Sequence, residues 1–104
     1  MRIAISICES KPLLVKKTFN KWDGKVEIIE FRLDYLKELN PQDLAAILPP
    51  KAQSRILVTN RSEEEGGKFC GSEEERLAIL LQAQKMGVDY LDIELASGKS
   101  FIDN

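Results

Sequence analysis

The chain has 104 residues, of which 43% are apolar, and its net charge is −2. This length fits one domain with a small core and leaves no room for a second independent domain. Lys plus Arg number 15 against 17 Asp plus Glu, without a basic block, which argues against nucleic-acid binding through a cationic face. No apolar run approaches the roughly 20 residues of a membrane span, and the N-terminal run is too short for a signal peptide. A cytoplasmic protein is therefore expected.

The residue types exclude several kinds of site. The absence of histidine excludes every catalytic triad and every histidine general base within this chain. Cys8 and Cys70 lack metal-ligand spacing, so we expect two free thiols, with Cys8 in the core. Gly66-Gly67 fits neither the GxGxxG nor the GxxxxGK[ST] spacing of phosphate-binding loops. These spacings therefore indicate neither a cysteine metal site nor a known phosphate-binding loop.

The first half of the chain predicts two strands separated by a helix. Residues 2–8 alternate Ile with smaller residues, which is typical of a strand. Ser10 can cap a helix that has Pro12 in its first turn and ends at Asp23-Gly24. Residues 26–33 predict the second strand, with Ile29 and Phe31 on one face and charged residues on the other.

The second half of the chain repeats this alternation. Asn40-Pro41 predicts the start of a short helix that ends at Pro49-Pro50, and residues 55–59 predict the third strand. A glycine-bearing loop over 60–71 precedes a helix that begins at a Ser72 and Glu75 capping box. Residues 88–95 predict the fourth strand. Beyond Ala96 we expect no further clear element.

The order β-α-β-α-β-α-β with short connections predicts parallel strands and right-handed crossovers. An open doubly wound sheet and part of a (β/α)8 barrel both fit this order. In a doubly wound sheet, charged strand residues would meet apolar helices, whereas in a barrel they can pair with one another on the inward face. The charges therefore favour an α/β fold in which residues 1–104 form part of a (β/α)8 TIM barrel.

Charged residues at the carboxyl ends of the predicted strands are the candidate site, because ligands bind at that end of parallel α/β sheets. Glu30 and Arg32 share a strand face and can form either a polar clamp for a hydroxylated or anionic substrate or a structural ion pair. Arg61 and Glu65 lie in or beside the following loop, where a solvated charge run is the alternative.

Asp92 and Glu94 share a face of the fourth predicted strand. Two inward carboxylates could bind a divalent cation, or act as an acid and base pair because each raises the pKa of the other. A third interpretation, which we favour, is that they form salt bridges with Arg32 and a lysine.

Three motifs in chain order resemble the type I 3-dehydroquinate dehydratases. Glu30-Phe31-Arg32-Leu33-Asp34 resembles the E-[LW]-R-x-D motif of that family. The stretch from Thr59 to Gly67 resembles T-x-R-x-x-x-E-G-G, and Asp92-Ile93-Glu94 resembles D-[LIV]-[DE]. Together with the first strand, these motifs place the resemblance over nearly the whole chain, as an amino-terminal half.

The resemblance implies a lyase of the shikimate pathway, which leads to the aromatic amino acids. Such an enzyme dehydrates 3-dehydroquinate through a lysine imine, a Schiff base, without metal or nucleotide. By position, the resemblance implies that Glu30, Arg32 and Arg61 contact the substrate and that Ser6 lines the same pocket. It also implies supporting roles for Glu65, Asp92 and Glu94.

The resemblance covers substrate binding but not the chemical step. In the family the catalytic histidine and the imine-forming lysine follow the D-[LIV]-[DE] motif at a distance that falls beyond Asn104. We therefore expect the isolated chain to be inactive and to associate with a complementary carboxyl-terminal half or with its own copy. The alternative is a non-catalytic module for hydroxy-acid binding or assembly.

Overall fold

The computed structural model describes residues 3–95 and 98–103, and their side chains through Ile93. The strands and α-helices, in chain order, are β1 (Ala4–Ile7), α1 (Pro12–Trp22), β2 (Ile28–Arg32), β3 (Arg55–Thr59), α2 (Glu73–Lys85), β4 (Tyr90–Leu95) and β5 (Gly98–Asp103). Short 3₁₀ helices lie at Leu33–Tyr35, Pro41–Ala46 and Glu63–Glu65. The first four strands and the helices between them follow the predicted order.

The five strands form one open sheet in the order β1-β2-β3-β4-β5. β1 to β4 are parallel, which confirms the predicted α/β arrangement and is consistent with the first half of a TIM barrel. The expectation that no element follows Ala96 is wrong. β5 pairs antiparallel with β4, and Leu91 lies opposite Ile102 in the register. This pairing satisfies the backbone groups of β4 that would otherwise form a free sheet edge.

The apolar core lies on one face of the sheet, as the alternation in β2 predicts. Ile29 and Phe31 are completely or nearly completely buried on that face. The ring of Phe31 packs against that of Phe19 on α1, with 5.9 Å between the ring centroids. Glu30 and Arg32 point to the opposite face and are partly exposed. The sheet therefore has an apolar face under the helices and a polar face that can hold a site.

The helix boundaries confirm some of the predicted signals and correct others. Ser72 Oγ accepts a hydrogen bond from the backbone N–H of Glu75, and the Glu75 carboxylate accepts one from the backbone N–H of Ser72, as the capping box predicts. The hydrogen bond from the Ser72 backbone N–H to its carboxylate lowers the pKa of Glu75. The cap of α1, however, is Lys11 rather than Ser10, because Pro12 holds the residue before it in an extended conformation. The predicted helix after Asn40 is a 3₁₀ helix.

Cys8 is exposed, so the expectation that it belongs to the core is wrong. It continues the alternation of Ala4 and Ser6, which places it at the carboxyl end of β1 on the polar side of the sheet. Cys8 and Cys70 are both free thiols, as predicted. In the part of the chain that the structure describes, no helix is long and apolar enough to cross a membrane.

Candidate substrate-binding site

The Glu30 carboxylate is held by hydroxyl groups from two neighbouring strands. Ser6 Oγ on β1 donates to Glu30 Oε1 at 2.5 Å, and Thr59 Oγ1 on β3 donates to Glu30 Oε2 at 2.6 Å. The parallel register places Ser6 directly opposite Glu30, so both side chains point to the same face. Glu30 is partly exposed, which leaves its carboxylate oxygens able to accept further hydrogen bonds from a ligand.

Arg32 is fixed by a two-point contact with Asp34. Its Nε donates to Asp34 Oδ1 at 3.1 Å, and its Nη2 donates to Asp34 Oδ2 at 2.9 Å. These hydrogen bonds raise the pKa of Arg32. The guanidinium also lies 5.2 Å from the centre of the Tyr35 ring, a cation–π distance. Arg32 is therefore held as a cation in one orientation at the end of β2.

Arg61 lies beside Asp92, with 3.7 Å between Arg61 Nη2 and Asp92 Oδ2. Thr59 and Asp92 are opposite each other in the register of β3 and β4, so the ends of these strands bring the two charges together. The expected salt bridge between Asp92 and Arg32 is wrong, because Arg32 pairs with Asp34 instead. The Asp92 side chain is only 5% exposed and lies between the strands and the loop that carries Arg61.

The residues of these contacts form a polar belt across the four parallel strands, because the strand register places them side by side. The polar belt consists of Ser6, Glu30, Arg32, Thr59, Arg61 and Asp92. Two of the predicted pocket residues, Glu65 and Glu94, are not seen in this belt within the described part of the chain. Glu65 is exposed on a 3₁₀ helix, and the side chain of Glu94 lies outside the described residues.

Two residues of the belt region were not assigned a role from the sequence. Thr59 lies on the polar face because it alternates with the buried Val58 and lies opposite Arg32 in the register, and the sequence of the third strand already carries this parity. Asp34 lies just beyond β2, within a 3₁₀ helix, where strand parity no longer applies. Its contact with Arg32 therefore required the structure.

Gly66 and Gly67 shape the loop after β3 for different reasons. Gly66 adopts a φ of 86°, a left-handed conformation that side-chain-bearing residues rarely adopt. A Cβ on Gly67 would collide with the backbone carbonyl of Arg61. That carbonyl accepts a hydrogen bond from the backbone N–H of Phe69 at 3.0 Å. The glycine pair therefore folds the loop back onto the backbone of Arg61.

We predict that Gly67→Ala disturbs the site more than Gly66→Ala does. Gly66→Ala should cost about 1 kcal/mol of unfolding free energy through its positive φ. Gly67→Ala should cost about 3 kcal/mol, because the rigid backbone of Arg61 has to move. Urea unfolding checks the stabilities. Side-chain NMR should show a changed Arg61 guanidinium resonance only in Gly67→Ala, and an equal effect of both variants would contradict the close-packing argument.

A cleft of about 710 Å³ adjoins Asp34, the partner of Arg32, and the residues of the polar belt are not among those that line it. Residues after β2 and β3 line it, among them Tyr35, Lys68 and Phe69. Within residues 3–95 and 98–103, no three acidic, cysteine or histidine side chains are grouped closely enough to hold a metal ion. Two arginines, of which Arg32 is fixed by Asp34, and an oriented carboxylate are groups that recognise a ligand carrying hydroxyl and carboxylate groups.

Comparison of the sequence with those of known proteins identifies one enzyme family. The family model described as type I 3-dehydroquinase matches residues 3–104. The chain is 41% identical to a 3-dehydroquinate dehydratase of Methanobrevibacter smithii over 102 residues, covering 97% of this chain and 45% of that enzyme. It is 32% identical to the enzyme of the same name from Methanocaldococcus jannaschii over 98 residues, covering 94% of this chain and 43% of that enzyme.

A plant relative has the same similarity within a longer protein. The Arabidopsis thaliana bifunctional 3-dehydroquinate dehydratase/shikimate dehydrogenase is 36% identical over 97 residues, covering 92% of this chain and 16% of that protein. The chain thus spans less than half the length of these relatives.

Proposed function

Because this chain belongs to the type I 3-dehydroquinase family, we propose that it supplies the substrate-binding half of a 3-dehydroquinate dehydratase. Such an enzyme removes water from 3-dehydroquinate to give 3-dehydroshikimate, with the substrate held as an imine of a lysine. In this proposal the lysine and the catalytic histidine come from a complementary carboxyl-terminal half. Association with a second copy of the chain is the other proposed partnership, and it would bind substrate without supplying a histidine.

The observation that carries the proposal is the anchoring of the Glu30 carboxylate by Ser6 and Thr59. A carboxylate that is already oriented by two hydroxyl donors can accept a hydrogen bond from a substrate hydroxyl with little loss of side-chain entropy. Arg32 and Arg61 supply charge-assisted donors on the same face. Ser6 is proposed to line the pocket and to orient Glu30.

The remaining residues of the site have supporting roles in this proposal. Asp92 balances the charge of Arg61 at 3.7 Å, and Glu65 and Glu94 are proposed to shape the pocket or to pair with the lysine of the complementary half. No catalytic residue is assigned within the chain. None of the strands β1 to β4 carries a lysine, and a lysine needs burial or a neighbouring cation to become a nucleophile at neutral pH.

We predict that the isolated chain binds 3-dehydroquinate without converting it, and that binding depends on the two arginines. Arg61→Ala should weaken binding roughly 10- to 100-fold, because a charge-assisted hydrogen bond to a ligand is worth about 1.5–3 kcal/mol. Isothermal titration measures the dissociation constants. Lys16→Ala, an exposed change on α1, is the matched control. Equal binding by wild type and Arg61→Ala would contradict the proposed role of Arg61.

The alternative is a non-catalytic hydroxy-acid binding or assembly module. The absence of lysine from β1 to β4 also fits this alternative. Binding of 3-dehydroquinate is common to both functions, so only the appearance of turnover with a complementary half separates them.

A further inference from the structure

The buried carboxylate of Asp34 contacts two separate parts of the candidate site. The Asp34 side chain has no exposed surface, whereas that of Arg32 is 16% exposed. Asp34 Oδ2 accepts from Arg32 Nη2 and also from the backbone N–H of Lys68 at 3.1 Å. One carboxylate thus joins the end of β2 to the loop that follows β3.

The contact with Arg32 fixes the direction of its guanidinium. Nε and Nη2 both donate to Asp34, so the pair is side-on and planar. The Tyr35 ring limits rotation on another side. This geometry commits two of the three guanidinium nitrogens to Asp34, so Nη1 is the nitrogen best suited to meet a ligand.

The contact with Lys68 fixes the loop that carries Arg61. Lys68 follows Gly67, whose position against the Arg61 carbonyl leaves no room for a side chain. The neighbouring backbone N–H of Phe69 donates to the Arg61 carbonyl. The bond between Asp34 and Lys68 therefore fixes a backbone segment that itself packs on Arg61.

We infer that Asp34 is a positioning residue that sets the guanidinium of Arg32 and the Arg61 loop for one shared ligand. This inference rests on the proposed function for the identity of the ligand, but its structural part does not. Asp34 acts through Arg32 and the loop, because its side chain has no exposed surface and its oxygens already accept from these two parts.

The structural part is tested by NMR on the wild-type chain and on Asp34→Asn. In wild type, the Arg32 Nε–H should give a sharp signal that exchanges slowly with water, and the Lys68 amide should be protected. In Asp34→Asn, both groups should exchange at least 10-fold faster, while amides in α2 keep their protection. Rapid exchange of both groups in the wild-type chain would by itself overturn the inference, before any variant is measured. Unchanged exchange in a folded Asp34→Asn variant would also overturn it.

The functional part is tested by a double-mutant cycle with 3-dehydroquinate as the probe. Asp34→Asn should weaken binding at least 10-fold in the wild-type background but less than 3-fold in an Arg32→Gln background, because its effect passes largely through Arg32. Asp34→Glu should restore part of the affinity. Equal weakening in both backgrounds would overturn the inference that Asp34 positions Arg32, because the effect would then not pass through that residue. Absence of binding by wild type would count against the proposed function alone, since the NMR result still decides the role of Asp34.

Discussion

Mixing this chain with the unmatched part of the Methanobrevibacter smithii enzyme should produce 3-dehydroquinate dehydratase turnover that neither piece has alone. The expected gain is on the order of 10⁶-fold or more over background, because it is the difference between an assembled active site and none. The chain would contribute the polar belt, and the added piece would contribute the imine lysine. The ultraviolet absorbance of the conjugated product measures the rate.

Borohydride trapping locates the covalent step in the same mixture. The lysine amine attacks the substrate ketone, water leaves, and borohydride reduces the resulting imine to a stable secondary amine. Mass spectrometry should find this adduct on the added piece and not on the present chain. A mixture with the Arg61→Ala chain is the matched control and should lose most of the turnover. If both pieces fold and associate but give neither turnover nor adduct, the dehydratase proposal is contradicted and the non-catalytic alternative is favoured.

The surface of the chain offers a physical reason for such association. β1 is an edge strand of the open sheet, and edge strands carry backbone groups that can pair with another chain. Near that edge, Ile3 is 49% exposed and Leu13 is 65% exposed. These apolar side chains, together with the uncovered polar face, are the surfaces that a complementary half would cover.

The sequence predicted the parallel strands and the two faces of β2 because strand parity is a local property. Ile29 and Phe31 alternate with Glu30 and Arg32, and this alternation alone separates the core from the site. The same parity places Cys8 with Ser6 on the polar side, although a cysteine is by residue type more often buried. The wrong expectation for Cys8 shows that position on a strand is more informative than residue type at a strand end.

The pairing of the charges was not predictable, because it depends on distances between segments far apart in the chain. Sequence spacing suggested Asp92 as the partner of Arg32, but the 3₁₀ helix after β2 turns Asp34 back onto Arg32. The strand β5 was missed for a similar reason. Its sequence carries weak strand signals, and its pairing depends on the free edge of β4.

Arg76 was also missed, since a charged residue on a polar helix is expected at the surface. Its side chain is only 2% exposed. Its Nη1 donates to the backbone carbonyl of Asn60 at 3.1 Å, and Asn60 Nδ2 lies 3.4 Å from the backbone carbonyl of Arg76. Asn60 directly precedes Arg61, so Arg76 connects α2 to the backbone beside the site.

We therefore expect Arg76→Ala to lose about 3 kcal/mol of unfolding free energy, as much as the truncation of an apolar core residue. The loss combines a buried cavity with a buried carbonyl that loses its charged donor. Glu73, the other partner of Arg76, is 59% exposed and can be hydrated, so Glu73→Ala should cost less than about 1 kcal/mol.

Arg76→Met separates packing from charge, because it keeps an unbranched stem and removes the donors. Urea unfolding should show that Arg76→Met loses about half as much unfolding free energy as Arg76→Ala does. If Glu73→Ala and Arg76→Ala cost the same, the surface ion pair rather than the buried link to Asn60 would be the stabilising contact. If only Arg76→Ala is strongly destabilising, the contact between α2 and the end of β3 is what supports the position of Arg61.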